Sequence, residues 1–229
     1  SPFGIARPGV PAGIKAGVAQ YGQLYADVPK WLREGWLDYL APQLYWPIDQ
    51  AEQSFAVLLP WWHTQNARQR HLWPGINPGR ALAGKPPTRA DELADQIGLI
   101  RAQPAPPGHV HFSMKALRTD APNVAGALQS RVYTGPVLAP ASEWLGAERP
   151  EAPAARVEGT AGRHTVRWDA DPAARFVVVQ TSAGAGWLTH RIVGAQAGTC
   201  ALPADATAVA VTAASRTGVL STAATPALR

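Results

Sequence analysis

The chain has 229 residues, 46% of them hydrophobic, which suits one large domain or two smaller ones and is ordinary for a globular protein. It contains no run of about eighteen apolar residues, so no integral membrane segment is expected. The formal charge of +5 comes from scattered arginines with no Lys/Arg run and no reader motif, which argues against a nucleic-acid partner, and the single cysteine, Cys200, excludes an internal disulfide and a cysteine-based zinc site.

Residues 1–138 alternate short strand-like runs with helical stretches, the signal of a parallel α/β arrangement. Four strand-like segments stand out, at 1–5, 39–46, 71–76 and 109–114. Between the second and third, Phe55, Leu58, Leu59 and Trp62 recur at helical spacing, and Pro60 predicts a kink or a boundary. In 88–103, Leu93, Ile97 and Ile100 form an apolar stripe, and Thr88 with Asp91 is placed like an N-terminal cap. A last helix is expected over 124–133. Four βα units make half of an eight-unit barrel and leave two strand edges unpaired. The expected fold is therefore the carboxyl-terminal half of a (β/α)8 TIM barrel, with Ser1 a cut point inside a longer protein.

Residues 139–155 are rich in Pro and Ala without periodicity, as a linker or wrapping segment would be. Beyond them, alternating runs at 165–168, 176–180, 187–193, 199–202 and 209–213 are separated by turn residues, the spacing of a small antiparallel sandwich. The pattern resembles a fibronectin type III module, with Trp168 as its core anchor. The expected organisation is a partial barrel over 1–140, a linker over 141–153 and an all-β sandwich over 154–229.

The stretch LDYLAPQLYW at 37–46 carries the most chemistry. Alternation puts Leu40, Pro42 and Leu44 on one face and Tyr39, Ala41, Gln43 and Tyr45 on the other. At the carboxyl end of a barrel strand, Gln43, Tyr45 and Trp46 would offer an amide, a phenol and an indole to the hydroxyls and apolar face of a sugar. Trp61 and Trp62 point about 100° apart on a helix, so at most one faces a cleft, and Trp62 is the one assigned to it. His109, His111 and Ser113 share one face of the fourth strand, with His111 and Ser113 expected toward the mouth. No third ligand stands at metal-binding spacing, and neither metal nor cofactor is expected. Asp49 follows the second strand at the correct end, and Asp27 either reaches the mouth or caps a helix. Glu52, Asp91, Glu92 and Asp95 read as solvated charges, and Arg7 as a partner for an acidic sugar substituent, an orienting group for a catalytic carboxylate absent from this chain, or a surface ion pair.

The ordered segments SPFGIARPG, LYADVPKWLREGWLDYLAPQLYW, SFAVLLPWW, HLWPGI and HVHFSM closely resemble the second half of bacterial glycosyl hydrolase-like family 10 proteins. The resemblance implies a barrel glycoside hydrolase, a polysaccharide or peptidoglycan-type glycan as partner, and an extracytoplasmic location. It also implies that the main catalytic carboxylates lie on an earlier strand, upstream of Ser1. Glycoside hydrolysis ordinarily needs two carboxylates, so residues 1–140 would supply binding more than chemistry, through Arg7, Gln43, Tyr45, Trp46, Asp49, Trp62, His111 and Ser113. The competing expectation is a non-catalytic carbohydrate-binding or envelope-scaffold protein.

Overall fold

The computed structural model describes residues 1–79, 91–104, 106–119, 124–184 and 186–228. The chain divides into two compact units, Ser1–Thr134 and Gly135–Arg229.

In the first unit, strands β1 (Tyr39–Leu40), β2 (His71–Leu72), β3 (Gly75–Ile76) and β4 (Val110–His111) pair in parallel, β1 with β2 and β3 with β4. Single parallel bridges, Phe3 to Gln43 and Gln43 to Gly75, join these pairs to one another and to the amino-terminal segment. The parallel segments thus follow chain order, as the alternation of strand and helix predicts, but the sheets are small and open. Two prolines account for the short ladders. Pro42 and Pro74 have no N–H to give, so they interrupt pairing where the sequence reads as continuous strand. Their carbonyls still accept, from Gly75 N at 2.8 Å and Val110 N at 3.0 Å, and the neighbouring segments stay aligned.

The helices behind these strands follow their apolar stripes. Helix Phe55–Thr64 buries Phe55, Leu58, Leu59 and Trp62, each contributing roughly 1.5–3 kcal/mol of transfer free energy. Pro60 neither ends this helix nor makes a boundary in it, because it lies on the exposed side while the buried stripe holds the turns on either side. Helix Glu92–Arg101 buries Leu93, Ile97 and Ile100 in the same core, with Asp91 at its N-cap making no side-chain capping bond. Thr88 of the expected cap lies outside the described residues. Helices Met114–Thr119 and Val124–Arg131 follow β4, the second contributing buried Leu128.

The second unit is a two-sheet antiparallel sandwich. One sheet has the order β5-β6-β9, from Ala154–Glu158, Thr165–Asp169 and Thr199–Ala201; the other has the order β10-β7-β8, from Ala208–Ser215, Ala174–Ser182 and Trp187–Gly194. Bridges from Val211 to Ala224 and from Ala214 to Leu220 lay the last segment beside β10. Val166, Trp168, Val177, Val179, Val209 and Val211 form the core between the sheets. Trp168 anchors it as expected, its indole donating to the Ala195 carbonyl at 3.0 Å. Sequence alternation missed β5, whose inward positions are only Ala155 and Val157. Residues 142–151 wrap onto this unit through Ser142 N to Thr217 O at 2.8 Å, Thr217 Oγ1 to Gly146 O at 2.7 Å and Glu151 N to Asp171 Oδ2 at 2.9 Å.

Candidate functional site

Gln43 is held at the level where three parallel segments meet: its backbone N–H donates to Pro2 O at 3.0 Å and its side-chain Nε2 to Ser1 O at 3.1 Å. Two residues on, the Tyr45 ring lies over Gly75, where an added Cβ would stand 3.0 Å from Tyr45 Cε1 and 3.5 Å from the hydroxyl. Glycine at 75 is what leaves room for that ring. Tyr45 then stacks on Phe112 from the end of β4, centroids 5.4 Å apart and planes 22° from parallel. Burial pushes the Tyr45 phenol above its ordinary value, so it stays protonated and able to donate a hydrogen bond at neutral pH. Gln43, Tyr45 and Phe112 thus form an amide-and-aromatic group at the carboxyl ends of the parallel strands.

The loop that follows β1 is fastened from behind. Gln96 Nε2 donates to Trp46 O at 3.0 Å, and the Glu92 carboxylate accepts from Ile48 N at 2.7 Å and from Gln96 at 3.3 Å. Ser54 Oγ donates to Ile48 O at 2.7 Å. Glu92 is therefore no solvated charge: it is 5% exposed, drawn inward because an unpaired loop amide needs an acceptor there. Trp46 is half-buried against the core, and Asp49 stands exposed on the turn beyond it.

Three expected contacts fall elsewhere. Trp62 is fully buried and its indole donates to Gly4 O at 2.8 Å, so it is a core residue; its neighbour Trp61, half-buried, meets it edge to face at 4.9 Å. His111 does not join Gln43 and Tyr45. Its Nε2 lies 2.7 Å from the Tyr133 hydroxyl, which also stands 2.5 Å from His109 Nε2, so the histidine face of β4 turns to the chain beyond helix Val124–Arg131 and Phe112 takes the side toward Tyr45. Arg7 stacks its guanidinium on Tyr21, 3.5 Å from the ring centroid. Ser113, half-buried after a cis Phe112–Ser113 peptide bond, accepts from Ala116 N at 3.1 Å through its carbonyl. Asp27 caps helix Val28–Glu34 through Lys30 N at 3.3 Å. Among the described residues no group of three His, Cys, Asp or Glu side chains is placed to hold a metal ion.

Parallel segments in chain order, with helices following them and an amide and stacked aromatics at their carboxyl ends, define an α/β unit. Residues 1–81 match the family model described as glycosyl hydrolase-like 10. It is 36% identical over 160 residues to glycosyl hydrolase YngK of Bacillus subtilis (strain 168), covering 67% of this chain and 31% of that protein. It is 40% identical over 68 residues to glycosyl hydrolase DigH of Escherichia coli (strain K12), covering 26% of this chain and 16% of that protein. The chain thus spans a third or less of the length of these relatives. A solved structure, a Fn3-like protein from Clostridium thermocellum, is similar at 17% identity and a TM-score of 0.26, covering 34% of this chain and 88% of that one. The sandwich architecture rests on the strand register given above.

Proposed function

We propose that the first unit is one half of a (β/α)8 barrel and that it supplies the substrate-binding wall of a glycoside hydrolase acting on a polysaccharide or peptidoglycan-type glycan. The observation that carries this reading is the Tyr45–Phe112 stack over Gly75 beside Gln43, at the end of the strands where barrel enzymes keep their active sites. Stacked rings present an apolar face to the C–H side of a pyranose, while the Gln43 amide and the Tyr45 hydroxyl pair with its hydroxyl groups. Hydrolysis needs a carboxylate pair across the scissile bond. Glu92 is committed to the Ile48 amide, and only Asp49 stands free on the loop after β1, so the acid and base are assigned to other strands of the parent barrel. The same commitment of Glu92 favours a second reading, a non-catalytic glycan-binding or envelope-scaffold protein. With a glycan of this kind as its substrate, the location we propose is outside the cytoplasm, in the periplasm, the outer envelope or the medium.

The test is retention of the chain and of its Tyr45→Ala and Phe112→Ala variants on glycan-containing gels, beside release of reducing ends by the full parent protein. Each variant is expected to weaken binding about tenfold, a loss of roughly 1.4 kcal/mol. Unchanged retention of both variants defeats the binding-wall reading. Binding by the parent without any release of reducing ends selects the scaffold reading.

A further inference from the structure

A concave surface on the first unit shares no lining residue with the group of Gln43, Tyr45 and Phe112. It is a cleft of about 360 Å³ lined by Tyr21, Tyr25, Asp27, Lys30, Trp31 and Trp36. Four of its six lining residues are aromatic, and three of these face solvent: Tyr25 is 89% exposed, Trp36 65% and Tyr21 45%. Single exposed apolar residues are ordinary, but rings gathered along one hollow mark a binding surface.

The backbone holds these rings outward. Tyr25 has φ 52°, a left-handed conformation that a bulky side chain adopts only at a cost, and such strain concentrates at ligand sites. The turn around it is fixed by Leu24 N and Ala26 N, which both donate to Gln20 O, at 3.0 and 3.2 Å. Trp36 is fixed in turn by its own N–H, which donates to Trp31 O at 3.0 Å. Counting Arg7, which stacks on the lining residue Tyr21, two cations stand beside these rings against one carboxylate. Arg7 lies against Tyr21, and Lys30 Nζ stands 5.6 Å from the Trp36 centroid, while the single lining carboxylate, Asp27, accepts from Lys30 N as a helix cap. Flat apolar faces beside two cations match a ring with C–H faces and a negative substituent.

We infer that this cleft is an accessory carbohydrate subsite that takes a carboxylate-bearing sugar of a glycan chain, an inference that rests on the reading of the protein as glycan-acting. The rings stack on the sugar, and Lys30 with Arg7 neutralises its carboxylate.

The experiment uses the whole chain and measures its affinity, by titration calorimetry, for carboxylated peptidoglycan-type glycan oligomers and for the same oligomers after carboxyl reduction. Wild type should prefer the carboxylated form at least fivefold. Tyr25→Ala with Trp36→Ala, both on exposed side chains and checked by an unchanged melting midpoint, should lose at least tenfold in affinity. Lys30→Gln should bind but lose the preference, and Tyr45→Ala should weaken binding while keeping it. If the double variant binds as wild type does, the subsite is refuted, and simultaneous loss in Tyr45→Ala leaves the strand-end reading standing. If the double variant loses binding while Tyr45→Ala and Phe112→Ala do not, the subsite stands and the strand-end wall falls. Equal affinity of wild type for both oligomers overturns the acidic assignment, and no binding to either overturns both readings.

Discussion

Glu92 shows how a single side chain can be misread from its neighbours in sequence. Between Asp91 and Asp95 at the start of a helix, a carboxylate is expected to face water and favour the positive end of the helix dipole. Here its oxygen meets the Ile48 amide at 2.7 Å, and the loop carrying Trp46 is held through Glu92 and Gln96 together. Deleting the carboxylate leaves a loop amide without its acceptor. Glu92→Ala is therefore expected to destabilise the first unit by about 1–3 kcal/mol, and Glu92→Gln, which keeps an acceptor oxygen, by clearly less. Urea unfolding of both variants checks this, and equal losses would show that charge rather than the hydrogen bond is what matters. Trp62, expected at the cleft, is instead a core residue, although the sequence carried the signal for that. It completes the i, i+3, i+4, i+7 stripe of Phe55, Leu58 and Leu59, which fixes its direction toward the core more firmly than the pairing with Trp61 could fix it toward a ligand.

At the scale of elements, the strand positions and their parallel order were readable because each run is bounded by turn residues and followed by a helical stripe. What sequence could not fix was which face of β4 points where, and the expectation that His111 faces the mouth was not met. Alternation correctly separates His109 and His111 from Val110 and Phe112, but both faces carry rings, so no polarity contrast decides between them. The decision comes from Tyr133, more than twenty residues downstream, whose hydroxyl meets both imidazoles. A phenol has one proton, so it donates to one histidine and accepts from the other, which makes a directed chain between β4 and the segment that follows helix Val124–Arg131. Tyr133→Phe breaks both links at once and leaves two half-buried imidazole nitrogens unsatisfied. The expected cost is about 2–4 kcal/mol, with faster amide exchange confined to residues 109–111 and 124–133. Exchange that spreads evenly over the first unit would contradict a local tie.

The two units of the whole molecule were legible as a change of period, from helical stripes with parallel strand signals to dense alternation, because each builds its own core. Their titratable groups differ, and this difference gives a test of independence. His63, His71, His109 and His111 all lie in the first unit, and burial pushes every one of them below its ordinary value; His109, further depressed by His111 and Arg101, falls to about 4. A histidine whose folded pKa lies below the unfolded value of about 6.5 takes up its proton first in the unfolded chain. The stability it contributes is fully present above about pH 6.5 and is lost as pH falls toward the folded value. In the second unit the lowered groups are carboxylates: Glu158, held down by hydrogen bonds from Arg167 and Arg156, and Asp171, held down by the Glu151 and Ala173 amides. Their contribution is present above the unfolded carboxylate range of about 4 and is lost only below it. Lowering pH from 7 to 4.5 should therefore depress the melting of residues 1–134 while leaving residues 135–229 nearly unmoved, as followed by hydrogen exchange read separately over the two segments. His109→Gln should blunt the acid loss of the first segment. A parallel decline of both segments, or an acid response unchanged in His109→Gln, would show that the buried imidazoles do not set the pH sensitivity of the fold.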